Sequence, residues 1–275
     1  MKSVSLKIAS ITDNGEKRDH NEDYHSYCTN ISADIKDWFH SSEMKLSSID
    51  RGGVLLVLAD GMGGGQAGEI ASKIAVKGIQ QYISKIRQAG NAEQIREVLF
   101  HAIIHANDLI LSSQKENIET HGMGSTIIIA WILDSCVYIS WVGDSRAYKF
   151  NPGSGLKLLS KDHSYVQELL DSGQLSFQQA FYHPQKNLIT QSLGGKKCTL
   201  HPGFSVSPVF NNDRIMLCSD GLNGMILDIE IEFILKEIPA AELCIEKLVQ
   251  AANEAGGHDN ITIILCDVQI ENAMI

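Results

Sequence analysis

Three apolar runs in this chain stop on an aspartate with glycine beside it: Asp60 closes VLLVLADG, Asp144 closes VYISWVGD and Asp220 closes IMLCSDG. Asp259, in GGHDN, precedes the last apolar run, and Asp23 stands in NED after the first. A single Asp-Gly pair is an ordinary turn signal. Several at the ends of core strands carry more, because the strand ends of two stacked sheets can meet in one cleft. Carboxylates crowded there repel one another and hold protons unless a cation neutralises them. A cluster of oxygen donors without histidine or cysteine suits a hard ion, Mg²⁺ or Mn²⁺. The strand end gives such a ligand a rigid mount, and the adjoining glycines leave room for a carbonyl, water or substrate.

The elements that must position these acids follow from hydrophobic period. Ser3 to Ile11 alternates loosely and predicts a first strand. Val54 to Ala59 is apolar throughout, as in a strand buried on both faces. Ile70, Ala71, Ile74, Ala75, Ile79, Tyr82, Ile83 and Ile86 recur at helical spacing, with Gly90 in the place of a terminating glycine. Asn91, with Gln94 three residues on, caps a second helix whose stripe runs from Ile95 to Ile110. The period then falls to two: STIIIAWIL, the turn DS and CVYISWVGD predict a hairpin, and SRAYKF another strand. Residues 163–182 read as short helices around a hinge-like Gly173, DRIMLCSDG as a strand end, 239–254 as a helix and NITIILCDV as the last strand. Residues 28–52 show no firm period. The order predicts an α+β fold, a β-sandwich of two mostly antiparallel sheets with helices outside. With no repeat or linker, one domain over 1–275 is the simplest division.

Composition narrows the function. At 275 residues and 44% hydrophobic, the chain can bury a sizeable core. A net charge of −10 argues against nucleic acid as a main partner. Cys28, Cys136, Cys198, Cys218, Cys244 and Cys266 make no zinc-ligand spacing and several lie in apolar runs, which suits a reducing cytosol. MKSVSLKIAS lacks the apolar centre of a secretion signal and no stretch approaches a membrane span, so a soluble cytoplasmic protein is expected.

Seven motifs in order then carry a resemblance: R-x-x-NED (18–23), ADGMGG (59–64), GMGST (122–126), VGDSR (142–146), KDHS to LITQSLGG (161–195), CSDGL (218–222) and DNIT (259–262). Over roughly residues 5–268 the chain resembles the metal-dependent protein phosphatases, the protein phosphatase 2C-like family, in its compact bacterial serine/threonine form. The resemblance implies a β-sandwich flanked by pairs of helices and hydrolysis of phosphoserine and phosphothreonine in proteins by a metal-activated water. By motif, Asp60 is similar to the carboxylate bridging two Mg²⁺ or Mn²⁺ ions, and Gly61 offers its carbonyl to the second. Asp220 and Asp259 resemble ligands of the first. Asp23 joins the metal set and, with Glu22, holds metal-bound water. Asp144, shared with Asp220, corresponds to a weaker third metal, and Arg18 to the phosphate clamp; Arg18, Asp60 and Asp220 form the catalytic set. Residues 163 to about 190 match a flap beside the site. The implied partners are phosphoproteins and a cognate serine/threonine kinase, with the protein a monomer active in signalling. Relatives carry histidine where this chain has Met62 or Gly65, which leaves metal-held water, His20, His163 or His258 to protonate the leaving alkoxide. The span from Asp23 to Val54 is longer than in compact relatives. The rival functions are a non-catalytic phosphoprotein-binding relative, against which the intact aspartate set argues, and a metallohydrolase of small phosphate esters.

Overall fold

A computed structural model describes residues 2–29, 31, 38–40, 44–45, 52–63, 66–86, 90–195 and 199–272. Its strands form two antiparallel sheets. One runs in the order β10 (Gly155–Leu158), β9 (Arg146–Asn151), β12 (Arg214–Cys218), β13 (Ile261–Asn272), β1 (Lys2–Asp13), β4 (Met44–Lys45). The other runs β11 (Gly203–Pro208), β8 (Cys136–Val142), β7 (Ile127–Leu133), β5 (Val54–Met62), β2 (Asp23–Cys28), β3 (Trp38–Phe39), with the short β6 (Gly124–Ser125) paired to the end of β5.

Strand β5 shows how the sequence builds the layers. Val54, Leu56 and Leu58 point into the layer between the sheets, while Leu55, Val57 and Ala59 point to α1 (Gln66–Ile83) and α2 (Ala92–Glu116). Both faces are buried, which is why the run is apolar without alternation. On the opposite sheet, Ile215 and Leu217 of β12 and Ile264 and Cys266 of β13 fill the same layer. Its outer face carries α6 (Asp228–Glu237) and α7 (Ala241–Glu254) over Met216, Ile263 and Leu265. The chain is therefore an α+β sandwich with a helix pair on each outer face. Continuing the period of two, Asp60, Ser219 and Thr262 come next on the inter-sheet face.

The hairpin from β7 to β8 turns on Asp134 and Ser135, with Asp134 at φ 53° as a tight primed turn demands. The Asn91–Gln94 capping box is formed. Gly90, however, does not end the first helix. Helix α1 stops at Ile83, and Gly90 precedes the cap of α2, where a Cβ would strike the Gln94 side chain. The two short helices of 163–182 are α3 (Tyr165–Asp171) and α4 (Phe177–Phe181). Gly173 is no hinge: at φ +71° it closes α3, its N–H donating to Leu170 O and that of Gln174 to Leu169 O.

Three elements escape the sequence period. The inward positions of β2 are Asp23, His25 and Tyr27, so it reads as polar loop. In β11 the run is GFSVSP, half serine and proline. Helix α6 begins DIEIE, which mimics a strand. Of the 28–52 excursion, β3 and β4 are strands and much of the remainder, like Cys198, lies outside the described residues. Cys136, Cys218, Cys244 and Cys266 are free thiols. Among the described residues no helix is long and apolar enough to cross a membrane.

Candidate metal centre

At one end of the inter-sheet layer the apolar positions give way to acids. Asp23 of β2 and Asp60 of β5 are directly opposite partners in one sheet. Asp144 lies in the link from β8 to β9, Asp220 opens the short helix α5 (Asp220–Asn223) after β12, and Asp259 precedes β13. Asp60 feels the charges of the other four, and Asp144 and Asp23 both feel that of Asp220. The five predicted carboxylates are thus gathered from both sheets.

Uncharged neighbours in the same motifs fix them. The Asp60 N–H donates to Thr126 Oγ1 at 2.9 Å, and Asp60 O accepts from Thr126 N–H at 2.8 Å and Ser125 Oγ at 3.0 Å. Thr126 Oγ1 also bonds Ser145 Oγ at 2.8 Å, next to Asp144. Gly143, at φ +108°, lies where a Cβ would stand 2.6 Å from Thr126 Cγ2, so only glycine lets the two strands approach. Asn260 Oδ1 accepts from Glu22 N–H at 2.8 Å, and its Nδ2 donates to the carbonyls of Asn14 and His20, each at 2.9 Å. Ser219 Oγ donates to Asp23 Oδ2 at 2.7 Å and accepts from Thr262 N–H at 2.9 Å. Sequence reasoning gave none of Ser125, Thr126, Ser219, Asn260 or Thr262 a role. For Ser219, Asn260 and Thr262 the signal was adjacency to the aspartate of their own motif; Ser125 and Thr126 stand in GMGST, which holds no aspartate.

Gly61 does more than clear space for a ligand. A Cβ there would meet Glu22 O at 2.6 Å and the backbone of Gly68, so its absence lets the first turn of α1 close on β5.

Burial, then mutual repulsion, raises the acids. Asp23 is pushed up to about 8 and Asp220 to about 6, and Asp60 and Asp144 stand well above the usual carboxylate range. Asp23 Oδ1 and Asp220 Oδ1 are buried with no hydrogen-bond partner. A buried acceptor without a donor is costly, and a cation satisfies it. The donor set therefore fits hard divalent ions. Among the described residues, no three His, Cys, Asp or Glu side chains already stand as one finished ligand set. Asp259 shows why: its Oδ2 accepts from Arg18 Nη2 at 2.8 Å and its Oδ1 from the Asn260 N–H at 2.9 Å. Arg18, expected at substrate phosphate, is here exposed, paired with Asp259, and close enough to sense Glu22 and Asp60.

His163 serves the scaffold. Its Nδ1 accepts from Gly143 N–H at 3.3 Å, its N–H donates to Gly143 O at 2.9 Å, its ring stacks on Trp141, and burial lowers its pKa. His20 and His258 are exposed. Met62 is half-buried at the end of β5, and Gly64 and Gly65 beyond it lie outside the described residues.

Protons and metal compete for these oxygens. Asp23 and Asp220 hold protons in the folded state at pH values where unfolded aspartate has released them. That contribution to metal-free stability is complete near pH 4 and is lost as pH rises through about 6 and 8. An ion that displaces the protons should bind at least about tenfold more weakly at pH 6 than at pH 8. Calorimetric titration with Mn²⁺ across this range checks it; a pH-independent affinity would show that the carboxylates are already ionised.

The family model for protein phosphatase 2C matches residues 37–266 of the chain. Over 271 residues the chain is 35% identical to protein phosphatase PhpP of Streptococcus pneumoniae serotype 2, covering 98% of this chain and 100% of that one. Its fold is similar to that of the S. agalactiae serine/threonine phosphatase, with a TM-score of 0.82, 32% identity, and 97% and 100% of the two chains covered. It is also similar to the catalytic domain of the serine/threonine protein phosphatase PstP in complex with two manganese ions, with a TM-score of 0.77, 27% identity, and 97% and 100% covered.

Proposed function

The chain belongs to the protein phosphatase 2C family and is a metal-dependent protein serine/threonine phosphatase; on that premise we propose how its residues divide the work. Asp60, Asp220 and Asp259, with the Gly61 carbonyl, would hold a central pair of Mg²⁺ or Mn²⁺ ions, and Asp144 with Asp220 would hold a weaker third. Bound there, the ions activate water and neutralise phosphoryl charge. Asp23 and Glu22 would accept hydrogen bonds from metal-bound water, Asp23 being oriented by Ser219. The observation that carries this reading is the pair of buried, partnerless oxygens on Asp23 and Asp220 inside an acid cluster drawn from both sheets.

Arg18 exchanges partners. Its guanidinium leaves Asp259 for the substrate phosphate, which frees Asp259 for metal and gives the phosphate a planar double donor. Wild-type turnover of a phosphothreonine peptide with Mn²⁺ should stop on chelation. Arg18→Ala should lower kcat/KM about 10- to 150-fold, the value of a charge-assisted contact. Its Mn²⁺ affinity should hold or tighten, because Asp259 loses a competitor. Turnover that survives chelation overturns the metal reading; unchanged kcat/KM in the variant returns Arg18 to an exposed ion pair, which is worth little.

The same reading makes residues 1–275 one catalytic domain with a flap at about 163–190. It works as a cytoplasmic monomer on phosphoproteins, opposed by a cognate serine/threonine kinase. A binding module has no use for five crowded acids, and the similar proteins are named as phosphatases.

A further inference from the structure

Beside the acid cluster a cavity of ≈ 520 Å³ opens between the flap and the start of α6. Asp144 and Asp220 line its inner end, so it is continuous with the centre where the phosphate must sit. Phe177 and Tyr182, at α4, form one bank; Leu227 and Ile229, at the start of α6, form the other. Phe177 is 84% exposed, Tyr182 71% and Ile229 73%. Large apolar side chains facing water on both banks of one cleft mark a binding surface.

Away from Asp144 and Asp220, the charged side chains of the cleft already have hydrogen-bond partners. Arg146 holds both oxygens of Asp162 at 2.8–3.1 Å, and Asp228 Oδ1 accepts from Tyr148 OH at 2.9 Å. Lys186 Nζ donates to Gly224 O at 2.8 Å, which ties the far end of the flap to the end of α5 and sets the width between the banks. Beyond its acidic inner end, what the cleft offers an incoming chain is therefore the apolar surface of its two banks.

We propose that this cleft receives a bulky apolar side chain flanking the phosphorylated residue, so that the substrates are phosphoproteins with such a residue close to the phosphoserine or phosphothreonine. This rests on the protein-phosphatase assignment and names a sequence preference within it. Phe177 and Ile229 are the specificity-determining residues.

The experiment uses phosphothreonine peptides in which a single leucine is walked along alanine–serine flanks on either side. A leucine-free peptide and p-nitrophenyl phosphate complete the set. Wild-type, Phe177→Ser and Ile229→Ser enzymes are compared with Mn²⁺ present. In the wild type one leucine position should raise kcat/KM at least about tenfold over the leucine-free peptide, the discrimination an apolar pocket achieves. Both variants should bring that ratio to within about twofold. Both positions are exposed, so neither substitution removes core packing. No favoured position in the wild type, or a ratio that survives in both variants, overturns the cleft alone. Hydrolysis of p-nitrophenyl phosphate with no peptide turned over overturns the protein-substrate assignment and the cleft with it.

Discussion

Asp60→Asn should lower turnover of a phosphothreonine peptide by about 10³-fold or more while the fold stands. The substitution keeps the shape of the side chain and leaves the backbone clamp from Ser125 and Thr126 in place. What it removes is the charge nearest the middle of the cluster, the one that senses all four other acids. If Asp60 bridges the central ions, its loss weakens both, and about 4 kcal/mol of barrier height corresponds to that change in rate. Removing one of several repelling carboxylates should also make the metal-free protein as stable as the parent or more so, while the rise in Tm on adding Mn²⁺ shrinks. Kinetics at saturating Mn²⁺ and thermal melts with and without the ion read both sides. A variant within tenfold of wild type would remove Asp60 from the centre of the chemistry.

Asp144→Ala separates a third ion from a turn cap. The Asp144 loop is held without its carboxylate, by the two hydrogen bonds between Gly143 and His163 and by Ser145 on Thr126. The fold should therefore persist, and with it the central pair of ions on Asp60, Asp220 and Asp259. A site with few protein ligands binds weakly, because Mg²⁺ and Mn²⁺ need several to offset dehydration. Calorimetry should show two tight ions retained and one weak ion lost. Turnover on phosphopeptide should fall about 10²-fold, the usual size of a lost proton-transfer contribution. If Asp144 only caps its turn, the variant loses about 1 kcal/mol of stability and no rate. Wild-type turnover at saturating metal would defeat the third site.

The acids were legible in the sequence because a charge at the end of a buried run has few other uses, and five such charges have fewer. The layers were legible where burial writes a period, as in β5, α2 and the β7–β8 hairpin. The scaffold around the acids was not. Thr126, Ser219 and Asn260 act by donating to or accepting from backbone that is distant in sequence, as when Ser219 Oγ accepts from the Thr262 N–H. A hydroxyl or amide carries no pattern that announces so distant a partner. Strand β2 was hidden because the face it turns inward carries Asp23 and His25. The Arg18–Asp259 pair was equally invisible: both residues were singled out, and their contact with each other came only from the fold.

Strand β13 lies between β12 and β1, in register with β1 from Lys2↔Asn272 to Asp13↔Ile261. In chain order it is the last of the described strands, and Asp259 and Asn260 stand at its threshold. Pairings of such sequence separation form late and slowly in folding. As the polypeptide emerges from a ribosome, then, every earlier strand can be present while one sheet lacks an interior member and the acid cluster lacks Asp259. If Asp259 holds metal as proposed, a nascent or truncated chain of this kind should not remove phosphate from the proteins around it. On that reading activity waits for β13 to enter between β12 and β1, so the topology itself should keep unfinished enzyme silent.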